Sequence, residues 1–177
     1  MNKEILPGLE MKFQPADLRD ADMMGYIYYH SWMSTVRDLL SAQYLEPYTP
    51  ESLASAMFRL IGTTFADYFL IDIGGEPSAM ATVDCSGESP VAEINHLFLL
   101  PEYIGKGYGT RVLCFLLKHA AGRGKKQAAL WVNTANERAV RFYESHGFVP
   151  AGEERTLYMG VEMIERRYIC TIEEENA

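Results

Sequence analysis

Apolar residues fall along this chain in two rhythms, and the switches between them outline the fold. Met11 to Gln14 alternates as a short strand, and Pro15 ends it. From Asp17 the apolar positions Leu18, Met23, Met24, Ile27 and Trp32 space as a helix. Leu39 to Tyr48 keeps neither rhythm and predicts an irregular connection. Thr49-Pro50-Glu51 opens a second helix through Leu53, Met57 and Leu60, with proline in the first turn and Gly62 as its stop. Tyr68 to Ile71 and Ser78 to Val83 flank the turn Gly74-Gly75-Glu76-Pro77 and read as a hairpin. After the turn at Ser86 to Pro90, another strand runs from Ala92 to Leu99 and ends at Pro101.

The second half begins with glycines at alternate positions, Gly105, Gly107 and Gly109, and then a helix striped by Val112, Leu113, Leu116, Leu117 and Ala120. Gly122-Arg123-Gly124 stops it. Ala128 to Val132 is apolar without alternation, as expected of a strand buried on both faces. Asn133 to Asn136 leads into a helix from about Glu137 to His146, with Gly147 as its stop, and Phe148 begins a last pair of strands. The order is strand, two helices, three antiparallel strands, helix, strand, helix, two strands. It predicts an α/β fold: one mixed sheet with helices on both faces, in a single domain over residues 1–177.

A strand that ends in a glycine-rich turn and feeds a helix is a device for holding phosphate. Glycine lets the backbone approach a ligand, and the first helical N–H groups lie unpaired with the positive end of the helix dipole behind them. Lys106 adds a cation. A dinucleotide fingerprint fits poorly, because Thr110 stands where its third glycine belongs and the preceding strands form hairpins. A P-loop string is absent from the chain.

Charge narrows the partners. Lys and Arg number 16 against 24 Asp and Glu, for a net charge of −8. Such a surface disfavours nucleic acid and anionic membrane and tolerates a cationic substrate. Three scattered cysteines and no paired histidines give neither a disulfide framework nor metal-ligand spacing, so no metal is expected and reduced cytoplasm is the natural compartment. The opening MNKEILPGLEMKF, with Glu4 and Pro7, does not read as a signal peptide. The acidic end from Glu173 reads as frayed.

The run Ile104 to Thr110 resembles the acetyl-CoA signature of the GCN5-related N-acetyltransferases, [QR]-x-x-G-x-[GA], with Gly107 and Gly109 on its glycines. Asn133, Asn136, Ala139 and the string FYESHGF from Phe142 to Phe148 resemble the same family's later pattern. Together these cover roughly Glu93 to Phe148. The ending Tyr158-Met159-Gly160 is faintly similar to the polyamine and small-amine branch.

The resemblance implies a three-layer αβα fold whose mostly antiparallel sheet splays between its fourth and fifth strands. It implies an acetyl-CoA-dependent N-acetyltransferase acting directly on a primary amine of a small molecule. The alternatives are a protein or peptide N-acetyltransferase and a non-catalytic coenzyme A module. Leu97, Phe98 and Leu99 would lend backbone to the pantetheine arm. Ile104, Gly105, Lys106, Gly107, Tyr108, Gly109 and Thr110 would hold the pyrophosphate, and Asn136 would contact the same cofactor. Ile104 departs from the family's Gln or Arg, which removes one side-chain contact worth on the order of 1–2 kcal/mol.

Tyr143 would protonate or hydrogen-bond the departing thiolate, and Glu93 is the candidate base. A water chain held by Asn95 or His96 is the other route for the amine proton. His96, inside a strand, reads more readily as a structural group. Tyr26, Tyr29, Trp32 and Tyr158 are the aromatic candidates for the substrate pocket. The oligomeric state stays open, a homodimer included.

Overall fold

The computed structural model describes residues 8–172. Residues 1–7 and 173–177 lie outside these, and with them most of the leader reading and the frayed tail. The chain runs β1 (Met11–Pro15), α1 (Ala21–Val36), α2 (Ala42–Leu45), α3 (Pro50–Thr63), β2 (Asp67–Ile73), β3 (Glu76–Asp84) and β4 (Val91–Leu99). It continues α4 (Tyr108–Gly122), β5 (Gln127–Asn133), α5 (Glu137–Glu144), β6 (Val149–Tyr158) and β7 (Glu162–Thr171). The strands form one seven-stranded sheet in the order β1-β2-β3-β4-β5-β7-β6. Every neighbouring pair is antiparallel except β4 with β5.

Alternation along the central strands builds a core on each face. Phe69, Ile71, Ala79, Ala81 and Val83 point to one side and pack with Val112, Leu113 and Leu116 of α4. Tyr68, Leu70 and Met80 point to the other and pack with Met24 and Ile27 of α1 and Met57 of α3. A strand buried on both faces has few polar positions to spare, which is why β5 reads as a continuous apolar run; β3, buried likewise, keeps only Ser78 and Thr82 as buried polar residues. On the second face α1 and α3 approach very closely. A Cβ placed on Gly25 would lie 2.3 Å from the backbone nitrogen of Ala54, so only glycine fits the crossing.

The helix starts follow local chemistry. Thr49 and Ser52 cap α3 reciprocally, with Oγ1 of Thr49 accepting from the Ser52 N–H at 3.1 Å and Oγ of Ser52 accepting from the Thr49 N–H at 2.9 Å. Asp17 caps a single 3₁₀ turn, Leu18–Asp20, that precedes α1, so the first helical stretch is divided in two. Gly62 does not stop α3; the helix runs through it and ends at Thr63. The connection expected to be irregular contains the one-turn α2, capped by Ser41. Its own Tyr44 and Leu45, with Leu40 just before it, pack with Val36 and Met163 in a third, small cluster.

Candidate functional site

The parallel pair β4–β5 is registered only at Val91 to Glu93 against Gln127 to Ala129. Beyond it β4 pairs only with β3 and β5 only with β7, so the sheet opens like a V. A cavity of roughly 560 Å³ fills this opening, with Ile94 to Leu99 on one side and Leu130 to Asn133 on the other. At its apex β4 carries a bulge: Thr82 faces His96 and Val83 faces Ile94, leaving Asn95 as the extra residue. A bulge re-aims the side chains that follow it. Asn95 and His96 therefore do not alternate as in a regular strand, and both line the cavity.

The glycine loop closes the wide end. Gly105 and Gly107 have φ of +76° and +85°, a conformation that costs other residues strain. Gly107 is the N-cap of α4 and no side chain caps that helix, so the first-turn N–H groups are left for a ligand. A Cβ at Gly109 would sit 3.5 Å from the Phe142 ring, which seats α4 against α5. Gly105, Gly107, Gly109 and Thr110 all line the cavity, as does Ile104, whose side chain also packs on the core.

Nδ1 of His146 lies 2.7 Å from the Phe142 carbonyl, which only accepts, so Nε2 receives the Thr110 hydroxyl at 3.0 Å. This bond joins the start of α4 to the end of α5. Tyr108 turns inward instead: it is buried, and its hydroxyl accepts from the Leu9 N–H at 3.1 Å. Arg111 completes that anchor with a bond to the Leu9 carbonyl. The Lys106 side chain is outside the lining.

Helix α5 presents three residues to the cavity. Asn136 caps the helix with Oδ1 toward the Ala139 N–H at 3.1 Å, leaving its amide N–H groups to donate. Arg138 lies one turn in. Tyr143 packs against Phe142 and Phe148, and its hydroxyl makes no hydrogen bond to another described residue. Burial pushes the Tyr143 phenol up to about 12.

The opposite wall is α1, where Tyr28, Trp32 and Thr35 form one helical stripe, continued by Leu39 in the turn after the helix. Tyr28 stacks on Phe98 with centroids 4.7 Å apart. Met159, Met163 and Glu165 complete the far end. Of the expected substrate residues Trp32 lines the cavity, whereas Tyr26, Tyr29 and Tyr158 do not, and Tyr158 is largely exposed. Glu93 also lies outside the lining, ion-paired with Arg167 of β7. Its carboxyl is raised above the usual range by partial burial, an effect the Arg167 charge partly offsets.

The Acetyltransferase (GNAT) family matches residues 33–148 of this chain. The chain belongs to that family. Among its relatives is an uncharacterised N-acetyltransferase of Methanocaldococcus jannaschii, 31% identical over 105 residues, which cover 56% of this chain and 45% of the relative. A mycothiol acetyltransferase of Stackebrandtia nassauensis is 30% identical over 114 residues, covering 64% of this chain and 34% of that protein. The chain thus spans less than half the length of these curated relatives. In structure it is similar to the PaiA N-acetyltransferase of Thermoplasma acidophilum in complex with coenzyme A, with a TM-score of 0.70 and 19% identity over 92% of this chain and 99% of that one. The ribosomal-protein-S18-alanine N-acetyltransferase of Escherichia coli gives 0.68 at 18% identity, covering 92% of this chain and 94% of that chain. These likenesses show a GNAT fold.

Within the GNAT fold, several lining residues escaped the motif-based reading. Tyr28 shares a helical stripe with Trp32 at four-residue spacing, a signal the sequence does carry. Glu165, Met163 and Trp131 depend on which face of β7 and β5 turns toward α1. Only the register fixes that.

Proposed function

We propose that this chain is an acetyl-CoA-dependent N-acetyltransferase that transfers acetyl directly to a primary amine of a small molecule. The observation that carries the reading is that the opened β4–β5 edge and the uncapped start of α4 line one cavity. Family membership and the solved neighbour containing coenzyme A support it.

The residues fit the cofactor. Uncapped N–H groups of α4 and the left-handed glycines would hold the pyrophosphate, and the amide of Asn136 would donate to the same ligand. The free edge of β4 from Leu97 to Leu99 offers backbone hydrogen bonds to an extended arm. When bound, acetyl-CoA supplies an activated acyl group: the C–N bond forms as the C–S bond breaks.

Tyr143 acts on the departing sulfur. A phenol at about 12 is a weaker acid than a thiol, whose usual value is about 8.5. Full proton transfer from Tyr143 is therefore uphill, and its role is to donate a hydrogen bond to the thiolate. At the other end, the amine must shed a proton before attack. Because Glu93 is held by Arg167 outside the cavity lining, water at the Asn95 bulge is the better-placed route.

The test is thermal-shift binding of acetyl-CoA followed by thiol release against amines and peptides. Binding with thiol release on free amines supports the reading. Activity confined to peptides moves it to a protein acetyltransferase, and binding without release moves it to a non-catalytic module.

A further inference from the structure

Two charged side chains line the cavity among the described residues, Arg138 and Glu165. Arg138 belongs to α5, beside the cofactor-facing Asn136. Glu165 stands across the sheet, on the wall shared with α1, and is the sole carboxylate in this lining. It is already committed: Nε of Arg155 reaches its Oε2 at 2.7 Å and Nη2 reaches the same oxygen at 2.6 Å. The Arg155 guanidinium is itself held 4.4 Å over the Trp131 ring. The Glu165 side chain is 20% exposed and that of Arg155 48%, so the carboxylate is the sheltered partner of a pair whose guanidinium reaches solvent. Oε1 of Glu165 takes part in neither contact.

The rest of this end is largely apolar or aromatic, with Ser31, Thr35 and Asn133 as its neutral polar side chains. Tyr28, Trp32, Phe98, Met159 and Met163 surround it, and Trp32 packs against Tyr48 at 4.9 Å. His96 of β4 bonds Thr82 and is held neutral by burial, its pKa lowered to about 4, and burial keeps the Tyr28 phenol protonated by raising its pKa.

We infer that the acceptor is a single primary amine carried on an apolar body of about one aromatic ring, and not a polyamine. The inference rests on the acetyl-transfer reading and deepens it. Aromatic rings offer such a body a large apolar surface, and Oε1 of Glu165 accepts one N–H. The second ammonium of a polyamine would enter a wall whose single negative charge Arg155 has neutralised. Burying an unpaired ammonium there is strongly unfavourable. Arg155 thus acts as the residue that excludes polycations.

Both tryptophans of the chain, Trp32 and Trp131, line this cavity, so intrinsic fluorescence reports its occupancy without any turnover. Phenethylamine and spermidine are titrated into the full chain saturated with coenzyme A. Phenethylamine should give a saturable change with affinity at least about tenfold above that for spermidine. Arg155→Gln, which releases the Glu165 charge, should strengthen spermidine binding about tenfold. Glu165→Gln should weaken phenethylamine by a similar factor.

Equal or tighter spermidine binding in the wild type overturns the inference, as does the absence of any saturable phenethylamine signal. A binding ratio unmoved by both variants overturns the role of the pair. Phenethylamine binding of the expected strength with no thiol release from acetyl-CoA supports the pocket assignment and removes the transfer reading instead. Faster thiol release with spermidine than with phenethylamine does the reverse.

Discussion

Thr82 and His96 meet across β3 and β4 with 2.8 Å between Oγ1 and Nδ1, one residue from the bulge at Asn95. Burial lowers the His96 pKa from 6.5 to about 4, so the folded protein keeps this imidazole neutral. The unfolded chain protonates the same histidine near its ordinary value. Between these two values the unfolded state binds the extra proton, and stability therefore falls as pH drops from 6.5 toward about 4. The loss levels off below that window and amounts to at most ~3 kcal/mol. Denaturant unfolding at neutral and mildly acid pH should show it in the wild type and much less of it in His96→Gln.

Tyr143→Phe separates hydrogen bonding from packing at the proposed thiolate site. The ring contacts with Phe142 and Phe148 survive the change, whereas the free hydroxyl is lost. A hydrogen bond to a charged sulfur is worth about 1.5–3 kcal/mol, so kcat should fall roughly tenfold to a hundredfold. Coenzyme A affinity by calorimetry should stay near wild type. Because the phenol remains protonated to about 12, no basic limb from this residue is expected in the pH–rate profile.

Gly107→Ala tests the cradle. The residue sits at φ +85° and a Cβ there would meet nothing within 4 Å, so the substitution is opposed by backbone conformation alone. Forcing alanine into that region costs about 1–2 kcal/mol, and relaxation of the loop would misplace the N–H groups at the start of α4. Coenzyme A binding should weaken about tenfold, with little change in the far-UV circular dichroism.

The two routes for the amine proton diverge under mutation. Asn95→Ala should lower kcat by about tenfold with the KM for acetyl-CoA unchanged, as expected for a residue holding water at the bulge. Glu93→Gln should change kcat less than about threefold, because the carboxylate is occupied by Arg167 away from the cavity lining. A large kcat defect in Glu93→Gln with a shifted acid limb would return the base role to Glu93.

The fold was legible because its signals are local. Glycines and prolines punctuate the strands, and Asp17, Thr49 and Asn136 announce their helices. The glycine loop and Tyr143 stood out as motif, and both line the cavity. The wall made by α1, β5 and β7 was not legible, because α1 lies far from the other two along the chain. Glu165 looks like any charged residue of an alternating strand until the pairing Asn133↔Glu165 places it beside the opening. Asn95 is likewise an ordinary strand residue until β3 skips it. Tyr26 and Tyr29 failed to line the cavity for a helical reason: the stripe facing the sheet is set by Tyr28 and Trp32, and their neighbours turn elsewhere.

The anchor between Leu9 and the first turn of α4 has a consequence at the opposite end of the chain. Tyr108 and Arg111 hold the Leu9 backbone from residues next to the proposed pyrophosphate grip, across 99 and 102 positions of sequence. A ligand that stiffens α4 at its start should slow local opening of the segment leading into β1. Amide hydrogen exchange at Leu9 and its neighbours should therefore be retarded by coenzyme A, although Leu9 is no part of the cavity lining. The beginning of the chain would act as a distant gauge of whether the loop is occupied.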